Sequence, residues 1–313
     1  MKNNLIVSDS PHLHKEESVT KIMWLVVASL VPAGIAGVYI FGFSALRIIL
    51  LGAISAVITE GILQLLTKRK VTLLDGSAVL TGLLLAYNLP PKVPFWLPMV
   101  GSLFAIAIGK QIFGGLGQNI FNPALVGRVF LMASWPKYMT SFTKAFNYDA
   151  VTSATPLALI KEGKVLESIS YLDLFLGKRG GCIGEVCILA LLLGATFLLM
   201  KGYISWHIPI TYIATTGILT YIFGTKGFFS GDWLFHILSG GLILGAFFMA
   251  TDYVTSPLTR KGQIIFGIGC GLITAIIRLW GGYPEGVSYA ILMMNAAAPI
   301  IDRFTKNRIY GAR

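Results

Sequence analysis

The chain has 313 residues, of which 55% are hydrophobic and only 12% are charged, and its mean hydropathy is +0.74. A soluble globular domain carries roughly twice this charged fraction, so the composition excludes a soluble protein. The formal net charge is +11, but Lys and Arg lie in short clusters at the ends of apolar runs, which excludes a nucleic-acid partner. The three cysteines lack metal-ligand spacing, so neither a disulfide framework nor a metal site is expected.

Apolar runs long enough to cross a bilayer recur along the whole sequence. About 20 apolar residues cross the hydrocarbon layer as a helix, because only an internally hydrogen-bonded backbone is stable there. The sequence therefore predicts an all-α polytopic membrane protein in the cell membrane. Its ten predicted spans are residues 22–41, 45–66, 76–89, 95–109, 119–135, 182–200, 206–223, 233–250, 263–280 and 286–301.

The distribution of Lys and Arg predicts which segments face the cytoplasm. An even number of spans puts both termini on the same side of the membrane. The short segments on that side contain most of the Lys and Arg residues, as cytoplasmic segments do. Residues 1–21 and 302–313 are therefore predicted to be cytoplasmic tails. The longest connection, 136–181, is predicted to be an extracytoplasmic loop, and a connection of this length is usually functional.

A weak internal repeat relates the two halves of the chain. GLLLAYNLPP, starting at Gly82, is similar to GAFFMATDYVTSP, starting at Gly245, and NPALVGR at Asn122 has a looser counterpart in NAAAPIIDR at Asn295. Five spans on each side of the long loop would form two inverted five-helix repeats, 22–135 and 182–301. The alternative is that Gly-rich membrane helices resemble one another by composition alone.

The long loop contains the segment NYDAVTSATPLALI, residues 147–160. A hydroxyl residue before a proline is ordinary turn chemistry when it is taken alone. In its position after the fifth span, before YLDLFLGKRGGCIGE, the segment resembles the flavinylation site of a family of membrane proteins. That family contains RnfD of the Rnf electron-transport complex and NqrB of the sodium-translocating NADH:quinone reductase. The resemblance implies FMN bound through a phosphoester to Thr155, with Ser153, Ala154 and Asp149 nearby.

The resemblance extends over nearly the whole chain, through DGSAVLTGLLLAYNLPP, GKQIFGGLGQNIFNPALVGR, GGLILGAFFMATDYVTSP and EGVSYAILMMNAAAPIID. Because only about twenty residues precede the first span, the chain is closer to the Rnf protein than to NqrB. The resemblance implies a membrane subunit of a ferredoxin:NAD oxidoreductase complex that contributes to Na⁺ or H⁺ translocation and is not catalytic alone. Three kinds of partner are implied. The first is the other Rnf-type subunits, which carry Fe–S centres and a second covalent flavin. The others are a flavin transferase and membrane lipid.

Two alternatives remain open at this point. One is NqrB of the quinone reductase, which belongs to the same family. The other is a non-redox channel or transporter, because the two-fold ten-helix plan is also similar to that of urea transporters. The second alternative explains the repeat and the short spans, but it gives no reason for the sequence around Thr155.

A second flavin, noncovalent riboflavin, is implied by the family near Asn119 and Asn122. Two carboxamides three residues apart on one helical face could bind the polar edge of a flavin. The alternative is that these amides satisfy backbone groups where Pro123 interrupts a helix.

Four ionisable residues lie in or near the predicted spans, and they are Glu60, Arg128, Glu185 and Arg278. A charge within a membrane costs several kcal/mol and therefore needs a partner or a wet cavity. Glu60, Arg128 and Glu185 are candidates for an ion path, and the alternative is Glu–Arg pairs that tie helices together. The spacing of apolar residues over 165–176 also predicts a helix lying flat on the outer surface.

Overall fold

The structure is a computed structural model that describes residues 17–146, the backbone of 152–153, and residues 155–161, 170–224 and 227–306. The fold is mostly helical, as the sequence predicts. The helices are α1 Val19–Phe41, α2 Phe43–Leu66, α3 Ser77–Tyr87, α4 Trp96–Ile106, α5 Pro123–Ser134, α6 Pro136–Met139, α7 Pro156–Lys161, α8 Tyr171–Leu176, α9 Ile188–Met200, α10 His207–Ile222, α11 Trp233–Leu238, α12 Leu242–Leu244, α13 Arg260–Leu279 and α14 Val287–Phe304.

Among the described residues, three helices are long and apolar enough to cross a membrane: α1, α2 and α13. Side-chain caps fix the starts of two of them: Ser18 Oγ accepts the N–H of Lys21 before α1, and Thr259 Oγ1 accepts the N–H of Gly262 before α13. These helices agree with a multi-pass membrane protein. The count of ten spans and the inverted repeat stay predictions, because most of the other segments are shorter or broken.

The predicted eighth span, 233–250, is wrong as a single helix. α11 ends at Leu238, Gly240 adopts a positive φ of 69°, and the chain continues through α12 into a π-helical turn, Gly245–Met249. Such a break is tolerated at membrane depth only where protein satisfies the freed carbonyls. Arg278 does so, because its guanidinium donates to the carbonyls of His236 and Ser239.

Two predicted spans begin later than the apolar pattern indicates. The sixth was expected from residue 182, but α9 begins at Ile188, and the preceding turn lies against the end of α3. There the N–H of Gly184 donates to the Tyr87 carbonyl at 3.0 Å, and a Cβ on Gly184 would come within 2.3 Å of the Tyr87 ring. The fifth was expected from residue 119, but α5 begins at Pro123, which is suited to a first helical turn.

Helix packing follows the same order in both halves of the chain. α2 packs on α3 and α4, and α4 packs on α5; α10 packs on α11 and α13, and α13 packs on α14, while α1 and α9 pack on each other. A continuous apolar core includes Leu84 and Leu125 from the first half and Leu191 and Leu242 from the second. Large apolar side chains on the outward faces of the long helices are exposed, as lipid-facing residues are.

Four strands of two residues each interrupt the helical fold. β1 Phe142–Thr143 pairs antiparallel with β2 Thr152–Ser153, so that Phe142 lies opposite Ser153. β3 Phe223–Gly224 pairs antiparallel with β4 Gly227–Phe228. Of the predicted surface helix 165–176, residues 171–176 form α8, and residues 165–169 lie outside the described part of the chain.

Candidate functional site

Thr155 lies between the β1–β2 ladder and α7. Its side chain is buried, with 4% exposed, and Thr155 Oγ1 accepts the N–H of Ala158 at 3.3 Å, as an N-cap residue does. The structure describes only the backbone of Ser153, which pairs with Phe142. Asp149 and Ala154 lie outside the described residues.

α7 docks on the second half of the chain through one apolar and one polar contact. Leu157 packs with Leu174 of α8 and Phe235 of α11. At the other end of α7, Lys161 Nζ donates to the carbonyl of Tyr283 at 2.8 Å, and burial lowers the pKa of this ammonium. The end of α7 that is remote from Thr155 is thereby joined to the loop that leads into α14.

Arg128, on α5, forms a buried ion pair with Glu285, which precedes α14. Arg128 Nη2 lies 2.5 Å from Glu285 Oε2, and Arg128 Nη1 donates to Asn88 Oδ1 at 2.5 Å. Sequence reasoning missed Glu285 and Asn88. The sequence feature that could have identified Glu285 is its position: it is a carboxylate directly before the apolar run 286–301. Arg128 Nε and Glu285 Oε1 have no hydrogen-bond partner among the described residues.

Beside this pair lies a cavity of about 490 Å³, here called the Arg128 cavity. Its polar lining includes Arg128 and Glu285, and Phe142 of β1 also lines it. Tyr283 and Tyr289 form one wall, with ring centroids 5.2 Å apart and an interplanar angle of 27°. The cavity therefore adjoins both the strand that pairs with Ser153 and the loop that Lys161 contacts.

Glu185 lies in the turn before α9. Its Oε1 accepts the N–H of Cys182 at 3.1 Å, whereas its Oε2 has no hydrogen-bond partner among the described residues. Arg179 Nη2 donates to the Glu185 backbone carbonyl at 3.1 Å.

Arg278 has a different role, since its three nitrogens donate to backbone carbonyls at the break in the predicted eighth span and at Glu285. Arg278 is therefore a structural residue.

Glu60 pairs with Lys110 and not with an arginine. Lys110 Nζ lies 2.7 and 2.8 Å from the two Glu60 carboxylate oxygens and 2.6 Å from Ser77 Oγ. Gln111 and Gln64 each donate a further hydrogen bond to Glu60 Oε1. Lys110 lies in a π-helical turn, Ala107–Gln111, that follows α4. Lys110 lies just after the predicted fourth span, yet its ammonium is buried against Glu60.

A larger cavity of about 790 Å³ lies at the other end of α5 and is here called the Asn119 cavity. Asn119, Asn122, Lys110, Asp252 and Phe247 are among the residues that line it. Its mostly apolar lining with a few polar groups is typical of a small-molecule site.

The two asparagines do not share a helical face, because α5 begins only at Pro123. Asn122 Oδ1 caps α5 by accepting the N–H of Ala124 at 3.1 Å, and Asn122 Nδ2 donates to the Met249 carbonyl at 3.2 Å. The backbone N–H of Asn122 also donates to Asn295 Oδ1 at 3.2 Å. The expectation of a shared helical face is therefore wrong, although both asparagines line the Asn119 cavity, and Asn122 satisfies backbone groups as the alternative proposed.

Comparison with known proteins identifies the family. The model of the NQR2, RnfD, RnfE family matches residues 6–311. The chain is 55% identical over 310 residues to the D component of the Na⁺-translocating ferredoxin:NAD⁺ oxidoreductase complex of Acetobacterium woodii, covering 98% of this chain and 96% of that protein.

Two further relatives cover similar lengths. The chain is 52% identical over 323 residues to the D component of the proton-translocating ferredoxin:NAD⁺ oxidoreductase complex of Clostridium ljungdahlii, covering 100% of this chain and 98% of that protein. It is 41% identical over 327 residues to the D component of the ion-translocating oxidoreductase complex of Stutzerimonas stutzeri, covering 94% and 92% of the two chains. The resemblance found in the sequence is confirmed, and the chain belongs to the NQR2, RnfD, RnfE family.

Proposed function

We propose that the chain is the membrane subunit of an ion-translocating ferredoxin:NAD⁺ oxidoreductase complex. It carries electrons through FMN on Thr155 at the outer face and is not catalytic without its partner subunits. The main support for this proposal is the sequence match to the D components of such complexes, which covers nearly the whole of both chains. Its partners are the other subunits of the complex, a flavin transferase during maturation and membrane lipid.

The surroundings of Thr155 fit a phosphoester. Thr155 Oγ1 serves as a hydrogen-bond acceptor for Ala158, and an ester oxygen can still accept this bond after its hydrogen has been replaced by phosphorus. Unpartnered polar atoms of Arg128 and Glu285 are available beside the neighbouring Arg128 cavity. When bound, FMN supplies electron transfer at its isoalloxazine ring, while the protein supplies position and electrostatics. Because Thr155 is buried, the transferase acts before α7 docks.

Fluorescence on a denaturing gel tests the attachment. In cells that also make the flavin transferase, the wild-type band should fluoresce under ultraviolet light, and Thr155→Ala should abolish this fluorescence. Thr152→Ala, a hydroxyl removal three residues earlier, serves as the matched control and should leave the band fluorescent. A dark wild-type band would reject the proposal and favour the channel or transporter alternative.

Riboflavin in the Asn119 cavity is the second cofactor proposal. The mostly apolar lining supports it, and Asn119 contributes a carboxamide whose Nδ2 donates to the Phe121 carbonyl. Because Asn122 also caps α5, its removal would confuse binding with folding. Asn119→Ala should therefore lower noncovalently extractable flavin while the tethered flavin stays. Unchanged extractable flavin in Asn119→Ala would count against this site.

The ion path is proposed to involve Glu185 more than Glu60 or Arg128. Glu60 and Arg128 are each held in a buried ion pair, which supports a role in joining helices. Glu185 has a carboxylate oxygen without a hydrogen-bond partner among the described residues. Glu185→Gln should reduce Na⁺ or H⁺ uptake per electron transferred in vesicles that contain the complex. An unchanged ratio would remove Glu185 from the path.

The two five-helix halves are proposed to be inverted repeats, with both termini cytoplasmic and the loop of Thr155 outside. The parallel packing order of α2 to α5 and of α10 to α14 supports the repeat. The hydrogen bond from the Asn122 N–H to Asn295 joins the two segments that the sequence pairs as counterparts. NqrB of the quinone reductase is the weaker alternative, because the three relatives named above are all D components of ferredoxin:NAD⁺ or ion-translocating complexes.

A further inference from the structure

We propose that the Arg128 cavity seats the isoalloxazine ring of the flavin on Thr155, with Arg128 and Glu285 facing its pyrimidine edge and Tyr283 and Tyr289 beside the ring. This inference rests on the proposed attachment of FMN to Thr155. It adds the residues that hold the ring and set its reduction potential.

The cavity is connected to Thr155 from two sides. Phe142 lines the cavity and pairs with Ser153, two residues before Thr155. On the other side, Lys161, at the end of the helix that Thr155 begins, donates to the carbonyl of Tyr283, which also lines the cavity. The cavity therefore has one neighbour on each side of the Thr155 segment, and its lining is mostly apolar with a few polar groups, as in small-molecule sites.

The unpartnered atoms of the cavity match the hydrogen-bonding edge of a flavin. Arg128 and Glu285 are 4% and 8% exposed, and Arg128 Nε and Glu285 Oε1 have no partner among the described residues. Buried polar groups normally have partners, so a free donor beside a free acceptor indicates a ligand that offers both. The pyrimidine edge of isoalloxazine carries an N–H flanked by carbonyl oxygens, and it can accept from Arg128 and donate to Glu285.

The remaining contacts of these two side chains hold them in place. Arg128 Nη2 binds Glu285 Oε2, and Arg128 Nη1 binds Asn88 Oδ1. Each residue therefore keeps one atom for the ligand while its other atoms are fixed by the protein. Tyr283 and Tyr289, whose rings stack on each other, both line the cavity and supply aromatic surface for a planar ring.

The charges predict how each residue affects the flavin potential. Reduction adds electron density to the ring, so the Arg128 guanidinium favours the reduced form and the Glu285 carboxylate opposes it. Removing the positive charge lowers the midpoint potential, and removing the negative charge raises it. A residue with a merely structural role would not shift the potential in opposite directions according to its charge.

Redox titration of the purified complex tests the proposal. The signal of the flavin on Thr155 is obtained by subtracting the titration of the Thr155→Ala complex from that of the wild type. Arg128→Gln is expected to lower the midpoint potential of this flavin and Glu285→Gln to raise it, while the charge-conserving Arg128→Lys changes it less. If these buried variants fail to assemble, Tyr283→Leu provides an independent measurement, because 46% of this side chain is exposed. Loss of the stacked wall should increase native flavin fluorescence at equal covalent flavin content.

Tyr138→Leu is the matched control, because Tyr138 has a similar exposure of 40% and makes an edge-to-face contact with Trp96, and neither ring lines the cavity. A Thr155 flavin that keeps its potential in the charge variants, or its native fluorescence yield in Tyr283→Leu, overturns the cavity proposal and leaves the attachment intact. Absence of flavin on Thr155 in the wild-type gel assay overturns both.

Discussion

Glu60 and Lys110 form an ion pair whose side chains are 1% and 2% exposed, and they join α2 to the π-helical turn after α4. Removing one partner of a buried pair leaves an uncompensated charge, which costs about 3–5 kcal/mol. Lys110→Met is therefore expected to lower the thermal stability of the detergent-solubilised protein strongly. The double variant Glu60→Gln/Lys110→Met should recover part of this loss, because neither residue is then charged.

The exposed pair of Lys178 and Asp173 gives the matched control. Its side chains are 58% and 36% exposed, and the two groups are 3.8 Å apart. Such surface pairs contribute about 1 kcal/mol or less. Lys178→Met should therefore leave the melting temperature almost unchanged. Equal effects of Lys110→Met and Lys178→Met would contradict a structural role for the buried pair.

The sequence identified Glu60 and Arg128 as charges that need a partner, but it could not identify their partners. Lys110 lies at the end of an apolar run, where a lysine ordinarily marks the membrane boundary. The π-helical turn changes the register of the chain at this point, and the ammonium is buried against Glu60 and Ser77. Glu285 was missed for a related reason, since its contact with Arg128 joins residues 157 positions apart.

Helices α2 and α3 approach each other closely at Gly52 and Gly82. A Cβ on Gly82 would lie 2.3 Å from the Gly52 carbonyl oxygen and 2.8 Å from the Cα of Ala53. Both obstacles are backbone, so the helices themselves would have to separate, and overpacking of this kind costs about 1–3 kcal/mol. Gly82→Ala is expected to lower the melting temperature clearly.

Gly282→Ala is the control for this effect. A Cβ on Gly282 would meet nothing within 4 Å, so its effect on the free energy of unfolding should stay within about 0.5 kcal/mol. Thermal unfolding of both variants in the same detergent compares them directly. A neutral Gly82→Ala would show that α2 and α3 do not need this contact distance.

Helices α8 and α11 are joined on the predicted outer surface by a hydrogen bond from the Tyr171 hydroxyl to Asp232 Oδ2 at 2.7 Å. This bond to a carboxylate raises the pKa of Tyr171 above its ordinary value of 10.0. The folded protein therefore favours the protonated tyrosine. Its contribution to stability is fully present below pH 10.0 and is lost as the pH rises through the raised pKa.

Tyr171→Phe should accordingly lower the melting temperature at pH 7 to 9, and the difference from the wild type should shrink above pH 10. Asp232→Asn keeps an acceptor without its charge, so it should weaken the pH dependence in this range. Melting curves measured across the pH series check both variants. A difference that stays constant with pH would contradict a role for the tyrosine proton.

At the level of elements, the sequence predicted short third, fourth and last spans. α3 and α4 have 11 residues each, whereas α14 has 18, so the last of these predictions is wrong. The sequence did not predict the break after α11, because Gly240 and Gly241 lie inside an apolar run whose mean hydropathy shows no interruption. The break depends on Arg278, a residue of another helix, which satisfies the carbonyls that the broken helix frees. A single-segment pattern contains no such information.

Across the whole molecule, the two cavities lie at opposite ends of α5. Asn122, at its start, lines the Asn119 cavity, whereas Arg128 and Met132, farther along, line the Arg128 cavity. The core between them contains residues from both halves of the chain, and the Asn122 and Asn295 segments meet there. The arrangement agrees with two separate cofactor positions, one on each side of the central contact between the halves.

The proposed orientation in the membrane can be tested by comparing two residues that lie on either side of α9. Basic residues concentrate in the short segments of the predicted inner side, which predicts that residue 201 is cytoplasmic and residue 178 is outside. In a Cys187→Ala background, which leaves the buried Cys182 and Cys270, single cysteines at Lys178 and Lys201 provide the two reporters. A membrane-impermeant maleimide applied to right-side-out vesicles should label Lys178→Cys at once and Lys201→Cys only after permeabilisation. The reverse pattern would put Thr155 on the cytoplasmic side, and equal labelling of both would mean that α9 does not separate the two compartments.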